Sequence, residues 1–225
     1  MHHQRDGRTL VVDLPLVGEK AVVHDLAAAV GVDSEAGEEL VQVVGQRRGG
    51  GPVNGGEVRA ESREGTLTAS GSIDGQGNNG PGGNVLLLAP RVALIRRAVV
   101  DVSGETGGGT VLVGGDYQGK NLAVQNATAT YVGGDVRISA DAIESGAGGK
   151  VIVWADEVTR FYGAISARGG AQSGDGGLVE TSGKLWLDFQ GTVDTRAPFG
   201  ATGTLLLDPT TITISTAITS GGSCS

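Results

Sequence analysis

The amino-acid sequence predicts an all-β protein folded as a parallel β-solenoid, also called a parallel β-helix. Glycine accounts for 41 of the 225 residues, while valine, leucine, isoleucine and alanine are also frequent. This composition is typical of many short strands joined by tight turns. Glycine pairs recur before apolar strands at intervals near 27 residues, and aliphatic residues keep the same place in each interval. Recurrence at a fixed period indicates a solenoid, whose stacked repeats bury a continuous core.

A glycine before the first strand of each repeat marks the period. The markers are Gly56, Gly83, Gly109, Gly149, Gly177 and Gly203. Their spacings are 27, 26, 40, 28 and 26 residues. The one long interval contains residues 114–134, which we interpret as an inserted loop. An antiparallel β-sandwich also has many short strands. Its strands, however, are not expected to recur at a constant spacing such as that of the marker glycines.

Two aliphatic columns and a weaker third strand fill each repeat. Side chains of a strand alternate between its two faces, so aliphatic residues two apart share one face. The first column is Val58, Val85, Val111, Val151, Val179 and Leu205. The second column is Ile73, Val100, Ile138, Ile165 and Val193. Third strands are predicted at 91–95, 157–161, 184–189 and 211–214. The sequence thus predicts about five to six coils over residues 51–215, with glycines at corners where the backbone needs a positive φ.

The two ends of the chain differ from the repeats. Residues 1–50 contain helix formers, with apolar residues three to four apart, so we predict an irregular or partly helical N-terminal segment. The alternative is a degraded first coil with valine-rich strands. Residues 216–225 are predicted to form a flexible tail.

Composition and charge argue against several classes of function. The net charge is −8, so the chain repels phosphate backbones and nucleic acid is not an expected partner. The longest apolar runs, such as residues 85–89, are far too short to form a transmembrane segment. Cys224 is the single cysteine, and the three histidines lie within the first 24 residues. The repeats therefore offer no thiolate or imidazole ligand, and we predict neither a cofactor nor a metal site.

An adjacent pair of carboxylates, Asp156 and Glu157, raises the question of catalysis. Paired acid and base carboxylates must converge on one substrate bond. Consecutive residues of a strand point to opposite faces, so we predict no catalytic residue here. Asn126 begins an Asn-Ala-Thr tripeptide that matches a glycosylation acceptor, but this pattern is too common to carry weight.

The outward positions of the first strands form an apolar stripe. Four of the six are aliphatic where water is expected: Leu86, Leu112, Ile152 and Leu206. Trp154 lies on the same face as Ile152. Such a stripe indicates either a cover or a partner; we favour a cover formed by residues 114–134, with a binding surface as the alternative. The candidate binding or packing residues are Trp154, Phe161, Tyr162, Ile152 and Leu112.

Three segments carry a resemblance to a known family. They are GGGTVLVGGDYQGKN (107–121), GGKVIVWADEVTRFYGAISARGG (148–170) and GTLLLDPTTITI (203–214). Across residues 65–215 the chain resembles filamentous-haemagglutinin-like exoproteins, which Gram-negative bacteria export by two-partner secretion. The resemblance implies a right-handed parallel β-helix. It also implies export through an outer-membrane β-barrel transporter and a filament that is secreted or held at the cell surface.

The resemblance also implies cell adhesion as the function. We therefore expect a non-enzymatic shaft segment of an adhesin, with host-cell or surface glycans or proteins as partners. The chain lacks the Asn-Pro-Asn motifs of the family's N-terminal secretion domain and a signal peptide, so we interpret it as an internal segment. Two alternatives stay open: a polysaccharide lyase or hydrolase on the same fold, and a truncated fragment without function.

Overall fold

The computed structural model describes residues 30–33, 42–45 and 55–210, which form a three-sided parallel β-solenoid. Eighteen strands and one short 3-10 turn, Tyr117–Gly119, make up this described part. In chain order the strands are β1 (Val30–Asp33), β2 (Gln42–Gly45), β3 (Glu57–Glu61), β4 (Thr66–Ala69), β5 (Ser72–Asp74), β6 (Asn84–Leu88), β7 (Arg91–Leu94), β8 (Val99–Asp101), β9 (Thr110–Val113), β10 (Ala129–Val132), β11 (Arg137–Ser139), β12 (Lys150–Ala155), β13 (Val158–Phe161), β14 (Ala164–Ser166), β15 (Leu178–Gly183), β16 (Trp186–Phe189), β17 (Thr192–Asp194) and β18 (Thr204–Leu206).

From β3 onward, every third strand joins the same sheet, and β1 and β2 add one strand each to sheets two and one. Sheet one has the order β2-β3-β6-β9-β12-β15-β18, sheet two the order β1-β4-β7-β10-β13-β16, and sheet three the order β5-β8-β11-β14-β17. Neighbouring strands pair in parallel, except that β2 and β1 pair antiparallel with β3 and β4. The run β3 to β17 therefore forms five complete coils, and β18 begins another. The all-β parallel solenoid of about five to six coils, predicted from the period, is confirmed.

The strand register matches the predicted columns. In sheet one Val58 pairs with Val85, and the same ladder continues to Leu205. In sheet three Ile73 pairs with Val100, and that ladder ends at Val193. The residues of these ladders from Val58 to Val179 and from Ile73 to Ile165 are buried in one continuous apolar core, Val193 packs against it, and Leu205 at the last coil is exposed. The alternation of apolar and polar positions therefore does build a core between coils that no single coil could bury.

The marker glycines are required by close approach of the coils rather than by a positive φ. A Cβ added to Gly109 would overlap the carbonyl oxygen of Gly83, and one added to Gly149 would overlap that of Gly109. The same clash recurs at Gly177 and Gly203. None of these four glycines has a positive φ, whereas glycines at other corners, such as Gly71 and Gly146, do have one. Any larger residue at these four marker positions would push one coil away from the next.

The structure divides the predicted insertion 114–134 into a loop and a strand. Residues 114–128 leave the coil, whereas β10 (Ala129–Val132) pairs with β7 and β13 as the third coil's own strand in sheet two. Within the first fifty residues, the two described segments are strands, β1 and β2. The predicted strand at 211–214 and the predicted tail 216–225 lie outside the described residues.

Candidate binding surface

Residues 114–128, here called the cover loop, lie on the outer face of sheet one. Beneath it, Leu112, Ile152 and Trp154 are buried and form a second apolar cluster, separate from the main core. Val124 of the cover loop packs against this cluster. The backbone of Gly119 approaches so closely that an added Cβ would lie 2.6 Å from the indole ring of Trp154. The apolar stripe of sheet one is thus covered by the chain itself where the loop crosses it.

Polar contacts fasten the cover loop at its two ends. At the start, Asp116 accepts hydrogen bonds from Lys150 Nζ at 2.5 Å and from Asn121 Nδ2 at 2.8 Å. Burial acts to raise the pKa of Asp116, but the hydrogen bonds from Asn121 and Lys150 outweigh it and hold the pKa below its ordinary value. At the end, Asp156 Oδ1 accepts from Asn126 Nδ2 and from Trp154 Nε1, each at 3.1 Å.

Glu180 is the unusual group under the cover loop. It continues the outward ladder next to Ile152, yet its side chain is 0% exposed. The backbone N–H of Gln118 donates to Oε2 at 2.9 Å, while Oε1 has no hydrogen-bond partner among the described residues. Burial raises the pKa of Glu180, and the Gln118 N–H opposes that rise only in part. Gln118 itself has a φ of 54°, a left-handed conformation that is uncommon outside glycine.

The five candidate residues taken from the sequence lie in three places. Leu112, Ile152 and Trp154 lie under the cover loop. Phe161 points inward and stacks on Phe189, with ring centroids 5.4 Å apart. Tyr162 follows Phe161 directly and lies on the outer face of sheet two, so the two neighbours point to opposite sides. The five residues therefore do not form one surface.

Around Tyr162 lies a solvent-exposed group that we call the aromatic face, defined by Tyr131, Arg160, Tyr162, Trp186, Asp188 and Gln190. Tyr131 is 38% exposed and Trp186 is 48% exposed. The sequence reading identified Tyr162 alone of these. Strand alternation across β10, β13 and β16 is the signal that could have found the others, since Tyr131, Arg160 and Asp188 are paired in register.

Hydrogen bonds and ring contacts order the aromatic face. The hydroxyl of Tyr162 donates to Asp188 Oδ2 at 2.7 Å, and Gln190 Nε2 donates to Asp188 Oδ1 at 2.9 Å. These two bonds hold the pKa of Asp188 below its ordinary value. Tyr131 meets Tyr162 edge to face at 5.8 Å between centroids. Arg160 lies over the indole of Trp186, with Cζ 5.3 Å from the ring centroid.

The adjacent carboxylates Asp156 and Glu157 have different surroundings. Asp156 fastens the cover loop, as described above, while its neighbour Glu157 is exposed. Within residues 55–210, no group of three or more His, Cys, Asp and Glu side chains is placed to hold a metal ion. In the same part of the chain, no helix has the length and apolar character needed to cross a membrane.

Comparison with known proteins shows a likeness to a solved structure. No family model and no curated protein matches the sequence. Among solved structures, the chain is similar to the HMW1 secretion domain from Haemophilus influenzae, with 34% sequence identity and a TM-score of 0.55. The match covers 68% of this chain and 39% of that chain, so the protein spans about two fifths of that domain. The predicted resemblance to filamentous-haemagglutinin-like exoproteins of two-partner secretion is thereby confirmed in fold and sequence.

Proposed function

We propose that this filamentous-haemagglutinin-like solenoid is part of an exoprotein that leaves the cell through an outer-membrane β-barrel transporter. The observation that carries the proposal is the likeness to a secretion domain, which extends over 68% of the chain at 34% identity. In this proposal the mature protein is secreted or held at the surface of a Gram-negative bacterium.

We further propose that the segment acts in adhesion and without catalysis. A stack of coils repeats outward side chains at the spacing of about 4.8 Å between strands, which suits repeated contacts to an extended ligand. The solved structure that it resembles is a secretion domain rather than an enzyme. In support, Asp116, Asp156 and Asp188 are all engaged in contacts that hold the fold.

Export can be tested with a chimera. Residues 55–210 would replace the matching coils of the HMW1 secretion domain, and the secreted amount would be measured in cells that carry the transporter of that protein. We expect the chimera to be secreted at a level comparable to the parent. A chimera that folds, as judged by circular dichroism of the purified domain, yet stays in the cell would contradict the export proposal.

Adhesion can be tested with the 225-residue chain itself. Beads coated with the purified chain should attach to epithelial cells more often than beads coated with albumin. Attachment no greater than the albumin control would contradict the adhesive role. Incubation with a panel of polysaccharides provides the counter-test, because release of new reducing ends or unsaturated products would favour the enzyme alternative.

A further inference from the structure

We propose that the cover loop is a proton-sensitive lid, which stays closed while Glu180 is protonated and opens more often once Glu180 carries a charge. Each opening uncovers the apolar cluster of Leu112, Ile152 and Trp154. This inference goes beyond the proposed export and adhesion and does not depend on either. It follows from the burial of Glu180, from the charges around it and from the way in which the loop is fastened.

Glu180 lies between sheet one and the cover loop in surroundings that suit a neutral group. Its side chain is 0% exposed, and its neighbours in the outward ladder are Ile152 on one side and Leu206 on the other. Oε2 accepts the backbone N–H of Gln118 at 2.9 Å, whereas Oε1 is buried without a hydrogen-bond partner among the described residues. A buried charge is stable only when it is paired and hydrogen-bonded. The closed loop therefore favours the protonated carboxyl group over the carboxylate.

The cations on the elements around Glu180 are engaged with other groups. Lys150 Nζ donates to Asp116 at 2.5 Å, and Lys120 Nζ donates to the side chain of Gln118 at 2.7 Å. None of the ion pairs within residues 55–210 includes Glu180. An ionised Glu180 under the closed loop thus has no cation of its own in the described part of the chain.

Neighbouring acids add to the effect of burial. Burial is the largest cause of the raised pKa of Glu180, and the charges of Asp208 and Asp116 raise it further. Hydrogen bonds from Gln118 and Ser182 oppose the rise. The charged and titratable groups on the elements packed against Glu180 are Asp116, Tyr117 and Lys120 in the cover loop, Lys150 in β12 and Asp208 after β18. When the loop opens, water reaches the carboxylates and screens their repulsion.

The tip is the part of the cover loop that Glu180 holds. Gln118 has a φ of 54°, and this left-handed conformation can relax once its bond to Glu180 is lost. The end of the loop is held by Asn126, whose bonds do not involve Glu180. At the start, the pKa of Asp116 lies below its ordinary value, so its bond to β12 persists over the pH range in which Glu180 titrates. Ionisation of Glu180 therefore acts on the tip rather than on the two ends.

The direction of the pH effect follows from the raised pKa of Glu180. The closed loop holds the proton more tightly than the open loop, so closure is most stable below the ordinary pKa of a glutamate. Closure weakens as pH rises towards the raised pKa, by up to about tenfold per pH unit, and levels off above it. Because Trp154 and Val124 still pack together when the loop is closed, we expect brief openings rather than a new resting structure.

Hydrogen exchange followed by mass spectrometry measures how often the loop opens in the 225-residue chain. After correction for the intrinsic effect of pH on exchange, the protection of peptides from residues 114–128 should fall at least about fivefold between about pH 4 and about pH 8. Peptides from β11 and β14 on sheet three should keep their protection. This comparison separates an opening loop from a fold that is weakened as a whole.

Glu180→Gln should remove the pH dependence and keep the loop protected at every pH. Asp208→Asn should make the fall smaller, because it removes a neighbouring charge and keeps an acceptor for the side chain of Gln118. Glu157→Gln, at an exposed carboxylate outside the cover loop, is the matched control and should behave as the wild type.

Three results would overturn the inference. They are a wild-type loop whose protection is independent of pH, a Glu180→Gln protein that keeps the wild-type fall, and an equal fall in the peptides of sheet three. If Glu180→Gln does not fold, Asp208→Asn decides, since a fall as large as that of the wild type would also contradict the lid. None of these results bears on export or on cell attachment, which are measured separately.

Discussion

The backbone N–H of Gln118 donates a hydrogen bond to the buried carboxylate of Glu180, which lies 62 residues later in the chain. The cover loop leaves sheet one after β9, whereas Glu180 lies in β15. The bond therefore joins the loop to a strand two coils further along the same sheet. The other carboxylate oxygen of Glu180, Oε1, is buried and has no hydrogen-bond partner among the described residues. This environment disfavours the charged form of the carboxylate.

Glu180→Gln should stabilise the protein at neutral pH. The pKa of Glu180 is raised in the folded state by burial, so the folded state holds the proton more tightly than the unfolded state. The stability that this proton contributes is fully present below the unfolded pKa and is lost as pH rises through the folded pKa. Urea unfolding should be measured over a pH series. As pH rises through the folded pKa of Glu180, the free energy of unfolding of the variant should increase relative to that of the wild type. Glu157→Gln, at an exposed position, is the control; a variant that is less stable than the wild type at neutral pH would refute the argument.

Asp194→Asn should destabilise the protein at neutral pH, in contrast to Glu180→Gln. Hydrogen bonds from Arg196 lower the pKa of Asp194 to about 2. The stability that this carboxylate contributes is therefore present above the unfolded pKa and is lost as pH falls towards 2. Arg196 is 76% exposed, so solvent screening keeps the loss at neutral pH near or below about 1 kcal/mol. Unfolding measured at two salt concentrations checks this, because the effect should shrink at high salt.

Trp154→Ala should loosen the cover loop. The indole is 3% exposed and fills the space between sheet one and the loop, so its removal should cost about 3 kcal/mol. The variant should also be cleaved within residues 115–126 by a protease that spares the wild type. Trp186→Ala, at the exposed tryptophan, should change stability by less than about 0.5 kcal/mol. Equal losses in the two variants would show that the cover loop does not depend on Trp154.

Gly149→Ala should disrupt the stack. The new Cβ would meet the backbone oxygen of Gly109, and neither backbone can move without separating two coils. We expect a loss of several kcal/mol, or failure to fold, measured by circular dichroism and thermal unfolding. Gly134→Ala is the matched control, since the nearest atom to its Cβ would be 3.7 Å away. A stable Gly149→Ala protein would refute the close-approach explanation of the markers.

The coil register could be predicted because two separate signals repeat together. The marker glycines and the valine column that includes Val85 and Val151 keep the same offset in every coil, and the strand ladders reproduce it. Strand β10 could not be recognised from the sequence for two reasons. It follows directly on the cover loop, and its sequence, Ala-Thr-Tyr-Val, contains only one of the large aliphatic residues that mark the other strands. A break in period at 114 gave no indication of where the coil resumes.

The candidate surface was less accessible to sequence reasoning. Whether Ile152 and Trp154 are open or covered depends on the path of residues 114–128, which contain no periodic pattern. Phe161 and Tyr162 were grouped because they are adjacent and aromatic, although alternation along a strand places them on opposite faces. The contact of Arg160 with Trp186 joins residues 26 apart, and it becomes visible once the register of β13 and β16 is known.

The hydrogen bonds between coils point along the stack, and this direction has a mechanical consequence. A pull from end to end acts on these bonds one coil at a time, so the outermost coil should peel away before the next one yields. Each step releases about 27 residues, which extend to roughly 90 Å. A tethered filament built this way would lengthen stepwise under shear flow and absorb the load, instead of passing the full force to its attachment point.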